Sequence, residues 1–516
     1  MEQFTTLLLL PYYRFGLCLF CALFLYAVLR AVLGGAQHTR HWPDRGLPPG
    51  PWQLPVIGSL HHLLGGLPHR TMRDLSLHYG PLMLLRVCER VLVVVSSAEA
   101  VRDIAKGHDV AFSERLTGPG VDELTRHGQG IMFAPYGEHW RVIRRIIMTE
   151  LVSARRVRSF GRIREEEAAC LVSSLRAATP GAGPQLVNID ERLDEFVLES
   201  VVRAIYGDKL PERTAFHRLV RQGVQLSSLF DLRDLFPSSR LVRLLPRRCG
   251  KAARYRQEMS RLMETILRTH EERRSARVDD ERDMVDVLLR IQKEADMPIS
   301  ITHGVIREVL KDVFGAGLDT TMITLRWVMA ELMVNPGVMQ KAQSEIRHVL
   351  AGQARVHEAA LNDLHYLRAV IKETLRLHPP GPLVPRMCLQ DCKIQGHVVP
   401  QGAIVVTNVW AISRDPKYWY EPEKFMPERF KADGVADFRG TNFEFTPFGV
   451  GRRICPGIGF ANANIEIALA SLLYHYDWEL PAGVNPEEVD MTEVFGATVT
   501  KKADLYLHPV PRFPLY

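Results

Sequence analysis

The chain has 516 residues, 46% of them apolar and 24% charged, with a formal net charge of +6. That is ordinary material for a globular protein with a large core, and length alone allows roughly three domains. So mild a charge does not argue for nucleic-acid binding, and no nucleic-acid partner is expected. Cysteines 18, 21, 88, 170, 249, 388, 392 and 455 follow no disulfide-like spacing, which suits a reducing compartment. Cys388 and Cys392 have no second ligand pair beside them, so they do not read as a metal site.

From Phe15 to Leu29 the sequence is unbroken apolar, and Arg30 is the one charge before Leu33. About twenty such residues cross a bilayer, so residues 1–34 read as a transmembrane anchor. Glu2 and Arg14 precede the apolar core, whereas Arg30, Arg40 and Arg45 lie beyond it. This disfavours a cleaved signal peptide and puts the bulk of the chain on the cytosolic side. Leu47-Pro48-Pro49-Gly50-Pro51 is stiff and donor-poor, so residues 35–66 read as a basic, proline-rich hinge. Residues 67–516 would then form one large domain.

Leu82–Val87 and Val91–Ser96 read as a hairpin. Phe112–Met132 has no period and is rich in Gly, Thr and charge, a loop able to roof a pocket. In Trp140-Arg141-Val142-Ile143-Arg144-Arg145, helical spacing puts Trp140 and Arg144 on one face, with Arg141 and Arg145 on the adjacent, solvated one. Amphipathic helices fill residues 153–282, with His270–Arg282 as an exposed charged linker and Gln222–Phe236 beside a channel.

Thr302–Val334 is helical in period, free of proline, and ends before Pro336. Its centre, Val313 to Thr321, is apolar on nearly every side and therefore expected to be buried. Glycines inside a helix cost about 1 kcal/mol each against alanine, and close approach of a flat cofactor would compensate. Asp319 is then a carboxylate in a buried helix, which needs a partner or a function. Further on, Glu373 and Arg376 share a helix face, Gly381–Arg386 reads as a strand, and Val398–Val406 as a hairpin about Pro400-Gln401-Gly402. Finally, Phe445 to Gly457 sets Cys455 on a tight backbone just ahead of a helix start, where free N–H groups favour a thiolate. Cys455 should be a ligand or a nucleophile.

The pattern Phe448-x-x-Gly451-x-Arg453-x-Cys455-x-Gly457 resembles the haem-binding loop of the cytochrome P450 family, and other family motifs recur at matching separations. The resemblance covers nearly the whole chain. It implies a mainly α fold with a smaller β region, and haem b held through Cys455 as axial iron ligand. Phe448 would pack beside the sulfur, while Arg453, Arg386, Trp140 and Arg144 would reach the haem propionates. Ala316-Gly317-Leu318-Asp319-Thr320-Thr321 matches the oxygen-activating motif, so Ala316 and Gly317 would lie against the haem, and Asp319 and Thr320 would deliver protons. Glu373, Arg376 and Arg429 would form a buried network bracing the cysteine loop. Phe314, Leu383, Val384, Phe495 and Ala497 would border the substrate.

Within the family, the details look most like plant microsomal enzymes of specialised metabolism, similar to grass oxidases of sesquiterpenoids and diterpenoids. The expected activity is insertion of one atom of O2 into a lipophilic molecule. Electrons would come from NADPH through the membrane-bound reductase, docking near Arg141 and Arg145, at the endoplasmic reticulum. Phenylpropanoid or indolic substrates stand as alternatives. A haem-thiolate isomerase or dehydratase and a non-catalytic haem carrier are disfavoured, because neither needs both Asp319 and Thr320.

Overall fold

The computed structural model describes residues 46–512 apart from 117, 119–128, 178–185, 208–209, 211–214, much of 217–231, 241, 243–248, 277–282, 295–296, 431–436 and 439; of the first 45 it describes only Ala22, Leu23 and Tyr26. Nearly all of the expected anchor, and seven of the fifteen residues of Gln222–Phe236, lie outside the described residues. Among the described residues no helix is long and apolar enough to cross a membrane.

Helices dominate. In chain order the ones that build the site are α1 (Pro68–Tyr79), α2 (Ala98–Gly107), α3 (Glu138–Ile146), α4 (Gly161–Ala177), α5 (Ile189–Tyr206), α6 (Cys249–Ala276), α7 (Met284–Lys293), α8 (His303–Val334), α9 (Pro336–Val349), α10 (His365–Leu377) and α11 (Ile458–His475). The strands are β1 (Leu82–Val87), β2 (Arg90–Val95), β3 (Val187–Asn188), β4 (Leu383–Met387), β5 (Cys392–Ile394), β6 (His397–Val399), β7 (Ile404–Asn408), β8 (Tyr476–Glu479), β9 (Glu493–Phe495), β10 (Val499–Lys501) and β11 (Tyr506–Pro511). The main sheet runs β1-β2-β7-β4, with β2 and β7 parallel and the other pairs antiparallel.

The expected hairpin forms as β1 and β2, in register from Leu82 opposite Val95 to Val87 opposite Arg90. The second expected hairpin does not form. Pro400 and Ala403 close a turn, yet β6 pairs with β5 while β7 enters the main sheet. The turn was legible, but the partner of each strand is decided by distant segments. From Gly46 on, the stiff proline-rich stretch is docked on strands of the domain. The Leu84 amide donates to Pro49 O at 2.8 Å, and a Cβ on Gly50 would stand 1.9 Å from Leu84 O, so only glycine fits there.

The long helix, α8, crosses the interior over 32 residues, roughly 48 Å at the α-helical rise. The Thr302 side chain caps it by accepting the Val305 amide, and Pro336 after Asn335 prevents its continuation. It packs against α5, α10 and α11. Buried Trp327 stacks on His378 of the α10 C-cap at 3.9 Å and 6°, and His378 Nε2 lies 2.7 Å from Glu331 Oε1. On the other flank, Ser200 of α5 donates to Asn464 of α11. These buried polar links fix the helices in register where bare apolar contact would let them slide.

His270 is not in an exposed linker. It lies inside α6, 2% exposed, with Nδ1 2.8 Å from Ile266 O and Nε2 3.0 Å from the Asp283 carboxylate that caps α7. The charge of its neighbours hid a buried hydrogen bond between α6 and the cap of α7.

Candidate active site

Cys455 sits between a short 3₁₀ turn, Gly451–Arg453, and the start of α11. Its amide donates to Phe448 O at 2.9 Å, closing the loop on itself. Gly451 has φ +68°, and a Cβ there would lie 2.3 Å from an Asp109 carboxylate oxygen, so the turn requires glycine twice over. Asp109 also receives the Arg452 amide and side chain at 3.2 and 2.9 Å. Burial raises the Cys455 thiol above its ordinary value, against the Gly457 amide and the Arg144 guanidinium. Burial here works against the thiolate that the helix start favours. A thiolate at this position needs a bound cation to persist.

Above the loop lies a cluster of arginines. Arg144 of α3 donates to Ile454 O at 2.6 Å. Arg453 donates from Nε to Ser113 O at 2.8 Å, from Nη1 to Ile131 O at 3.2 Å and from Nη2 to Ala134 O at 2.6 Å, and its guanidinium stacks 4.4 Å over the Trp140 ring. Arg386 of β4 and Arg115 complete the group. Burial and the neighbouring guanidiniums pull Arg453 down to about 10 and Arg386 well below the usual value; Arg115 is lowered by burial and by Arg144. Arg386 Nη1, Arg115 Nε and Trp140 Nε1 are buried donors that find no acceptor among the described residues. Among the described residues the nearby carboxylates are engaged: Glu114 takes the Arg115 and Tyr136 amides, and Asp109 takes Arg452. Such a cluster demands an anion carrying several acceptor oxygens.

Across from it, α8 presents a small-residue face. Ala316 is exposed although it is mid-helix, and a Cβ on Gly315 would meet nothing within 4 Å. The centre of the helix is thus open on one side, not buried all round as the sequence suggested. Thr320 Oγ1 donates to Ala316 O at 2.7 Å, and Thr321 and Thr324 repeat this i−4 bond at 2.7 and 2.8 Å. Asp319 accepts Thr498 Oγ1 at 2.7 Å; burial raises its carboxyl, with Thr498 and Arg326 pulling it down.

A sequence profile described as Cytochrome P450 matches residues 48–508. The chain belongs to the cytochrome P450 family. This P450 is 44% identical over 470 residues to the desmethyl-deoxy-podophyllotoxin synthase of Sinopodophyllum hexandrum, covering 90% of this chain and 91% of that one. It is also 44% identical over 476 residues to the dolabradiene monooxygenase of Zea mays, covering 91% and 94%. A solved zebra fish cytochrome P450 structure with abiraterone superposes with a TM-score of 0.72 at 26% identity, covering 86% of this chain and 99% of that one. The chain is an oxidoreductase, a P450 monooxygenase, and its cofactor is haem.

The residues fit that group. A haem brings two carboxylates, to which the orphaned N–H groups of Arg386, Arg115 and Trp140 could donate, and an iron, which would hold Cys455 as thiolate. Arg453 has spent three donors on carbonyl oxygens, leaving two N–H for a propionate, so its larger task is pinning the 113–134 loop to the cysteine loop. Arg115 was missed from sequence. It lies in a segment without period, and nothing local marks it as one of four converging cations.

The buried network forms as expected. Arg376 donates to Glu373 from Nε at 2.8 Å and Nη2 at 2.9 Å, and Arg429 Nε adds a third bond at 3.0 Å. Arg376 spends its other donors on Ser413 O, Pro422 O and Lys424 O. Trp419 carries Arg376 on its ring face and packs against Phe430 and Phe445, and Phe438 links Phe445 to Phe448. That aromatic chain is the physical path from the ion network to the cysteine loop.

Three expected site residues are placed elsewhere. Phe314 is 2% exposed in an aromatic cluster with Phe216 and Tyr206, at 4.7 and 5.8 Å, so it has no surface left for a ligand. The missing Cβ of Gly317 faces Phe460 and Val201 at 3.9 and 4.0 Å, which makes it a helix–helix contact. Leu383 and Val384 cannot both face the cavity, because strand alternation separates them. Val384 shares the Arg386 face, and Leu383 packs with the cluster of Met72 and Met83. Phe495 stays partly exposed beside His69, at 6.0 Å, and Ala497 is exposed at the tip of the β9–β10 turn.

Proposed function

We propose that this P450 is anchored by residues 1–34 in the endoplasmic reticulum membrane with its catalytic domain in the cytosol, and oxidises a terpenoid of specialised metabolism. It takes electrons from NADPH through cytochrome P450 reductase, and O2 is the co-substrate. The substrate class is supported by the dolabradiene monooxygenase relative in Zea mays; the anchor is supported by the apolar run from Phe15 to Leu33.

The observation that carries the reading is the pairing of an exposed Ala316 and a partly exposed Thr320 on α8 with a cysteine loop beneath a cluster of unsatisfied arginines. Haem bound through a thiolate supplies the reductive splitting of O2. The chain's own groups do the rest. Cys455 would hold the iron, and Arg386, Arg115, Arg144 and Trp140 would orient the ring through its propionates. Thr320, its hydrogen given to Ala316 O, offers oxygen lone pairs to a water in the cavity. Asp319 passes protons inward as its carboxyl ionises and recharges. Val384, Phe495 and Ala497 give the cavity an apolar wall that orders a hydrocarbon and limits water. Arg141 and Arg145, both exposed on α3, form part of the cationic surface that receives the reductase.

The test is reconstitution with reductase and NADPH against terpene hydrocarbons, phenylpropanoids and indolic compounds, using isotope-labelled dioxygen. A terpenoid product carrying one labelled oxygen, with NADPH use dependent on both reductase and substrate, is expected. Turnover without reductase, or products without label, would overturn the reading. In the same assay, Thr320→Ala should divert NADPH use from product to peroxide; full coupling would remove Thr320 from the proton path.

A further inference from the structure

We infer that Thr498 is a positioning residue for Asp319, tying the proton-carrying carboxylate to the β9–β10 turn that carries Phe495 and Ala497. The inference rests on the role proposed above for Asp319. The two residues are 179 positions apart, and the Thr498 hydroxyl donates to Asp319 Oδ2 at 2.7 Å.

The turn is a fixed frame for that bond. At its start, Glu493 accepts Arg70 Nε at 3.0 Å and lies 3.1 Å from Nε2 of fully buried His69, both on α1. After the tip, the Val499 amide donates to Pro380 O at 2.9 Å, and the Gly496 amide closes the turn on Thr498 O at 2.9 Å. With both strands anchored, the hydroxyl reaches α8 from a set direction. It engages one carboxylate oxygen, Oδ2, and so fixes the rotation of the carboxyl group beside Thr320.

The charged groups around Asp319 do not replace this bond. Arg326, two turns further along α8, is committed to Asp194 of α5 through Nε at 3.0 Å and a second, shorter contact. Lys501 of β10 pairs with Asp190 of α5 at 3.5 Å. Burial pushes the Asp319 carboxyl towards its neutral form, and the Thr498 hydroxyl is the neutral donor that opposes it. A ligand pressing on Ala497 bears on the same short turn. Occupancy of the cavity and readiness of the acid are thereby linked through one side chain.

The test uses the full haem-loaded protein as Thr498→Val, Thr498→Ser and Asp319→Asn. The Asp319 carboxyl is titrated in the resting protein by infrared spectroscopy, its band assigned by its loss in Asp319→Asn. Peroxide released per NADPH consumed with reductase is then tracked against pH. Thr498→Val should move the carboxyl midpoint up by about one pH unit and shift the peroxide profile the same way, and Thr498→Ser should restore both. A wild-type midpoint in Thr498→Val overturns the inference, and if that variant does not load haem, Thr498→Ala serves the same comparison. An Asp319→Asn enzyme with an unaltered peroxide profile would remove the role of Asp319 and this inference with it. An altered Asp319→Asn beside a silent Thr498→Val would overturn the Thr498 role alone.

Discussion

Glu373→Ala removes the acceptor of four hydrogen bonds: Arg376 Nε at 2.8 Å and Nη2 at 2.9 Å, Arg429 Nε at 3.0 Å and the Met426 amide at 2.8 Å. Glu373 and Arg376 are both 0% exposed, so water cannot replace the carboxylate. Removing one partner of a buried ion pair costs roughly 3–5 kcal/mol, and the loss here belongs at the upper end because a second guanidinium and an amide are orphaned too. Against a typical stability of about 5–15 kcal/mol, that leaves a marginal protein. An isolated buried pair can often be exchanged for apolar residues at no cost. This one should not be, because Arg376 also satisfies the carbonyls of Ser413, Pro422 and Lys424. The double variant Glu373→Leu/Arg376→Leu should therefore stay several kcal/mol below wild type. Urea unfolding monitored by tryptophan fluorescence, with haem content measured on the same samples, reads both effects. Glu373→Ala within about 1 kcal/mol of wild type, with full haem content, would refute the reasoning.

Arg115→Gln should release haem to an acceptor protein roughly tenfold faster, the worth of one charge-assisted bond; an unchanged release rate would exclude Arg115 from the propionate contacts. Asp312 accepts the Met132 amide at 2.9 Å, and burial raises its carboxyl to about 6 despite Lys311. Its folded value lies above its unfolded one, so its stabilising contribution is present at low pH and is lost as pH climbs through about 6. Asp312→Asn should then be more stable at pH 7 by roughly 3 kcal/mol, with the gain vanishing near pH 4; equal unfolding midpoints for both proteins across that range would contradict it.

Sequence made the local devices legible because each is written within a few residues. The two runs that form β1 and β2, the helical period from Thr302 with Pro336 beyond α8, and the three-residue spacing of Glu373 and Arg376 all form as their patterns dictate. What failed was choice of partner. Val398–Val406 shows two strands and a turn but not that the strands join different sheets. The charged run at His270 reads as solvated until Asp283 is brought against it. Phe314 and Ala316 are two residues apart on a helix apolar nearly all round, and only packing against Phe216 and Tyr206 decides which faces the core. Arg115 and Thr498 had no local signal, since each acts on a group far along the chain.

Cys455 is the residue on which iron binding, and with it the activity, depends most. The measurement is the absorption spectrum of the reduced carbon monoxide complex of Cys455→Ser beside wild type. Wild type should give the thiolate-type band and Cys455→Ser should lose it; an unchanged band in the variant would contradict the assignment.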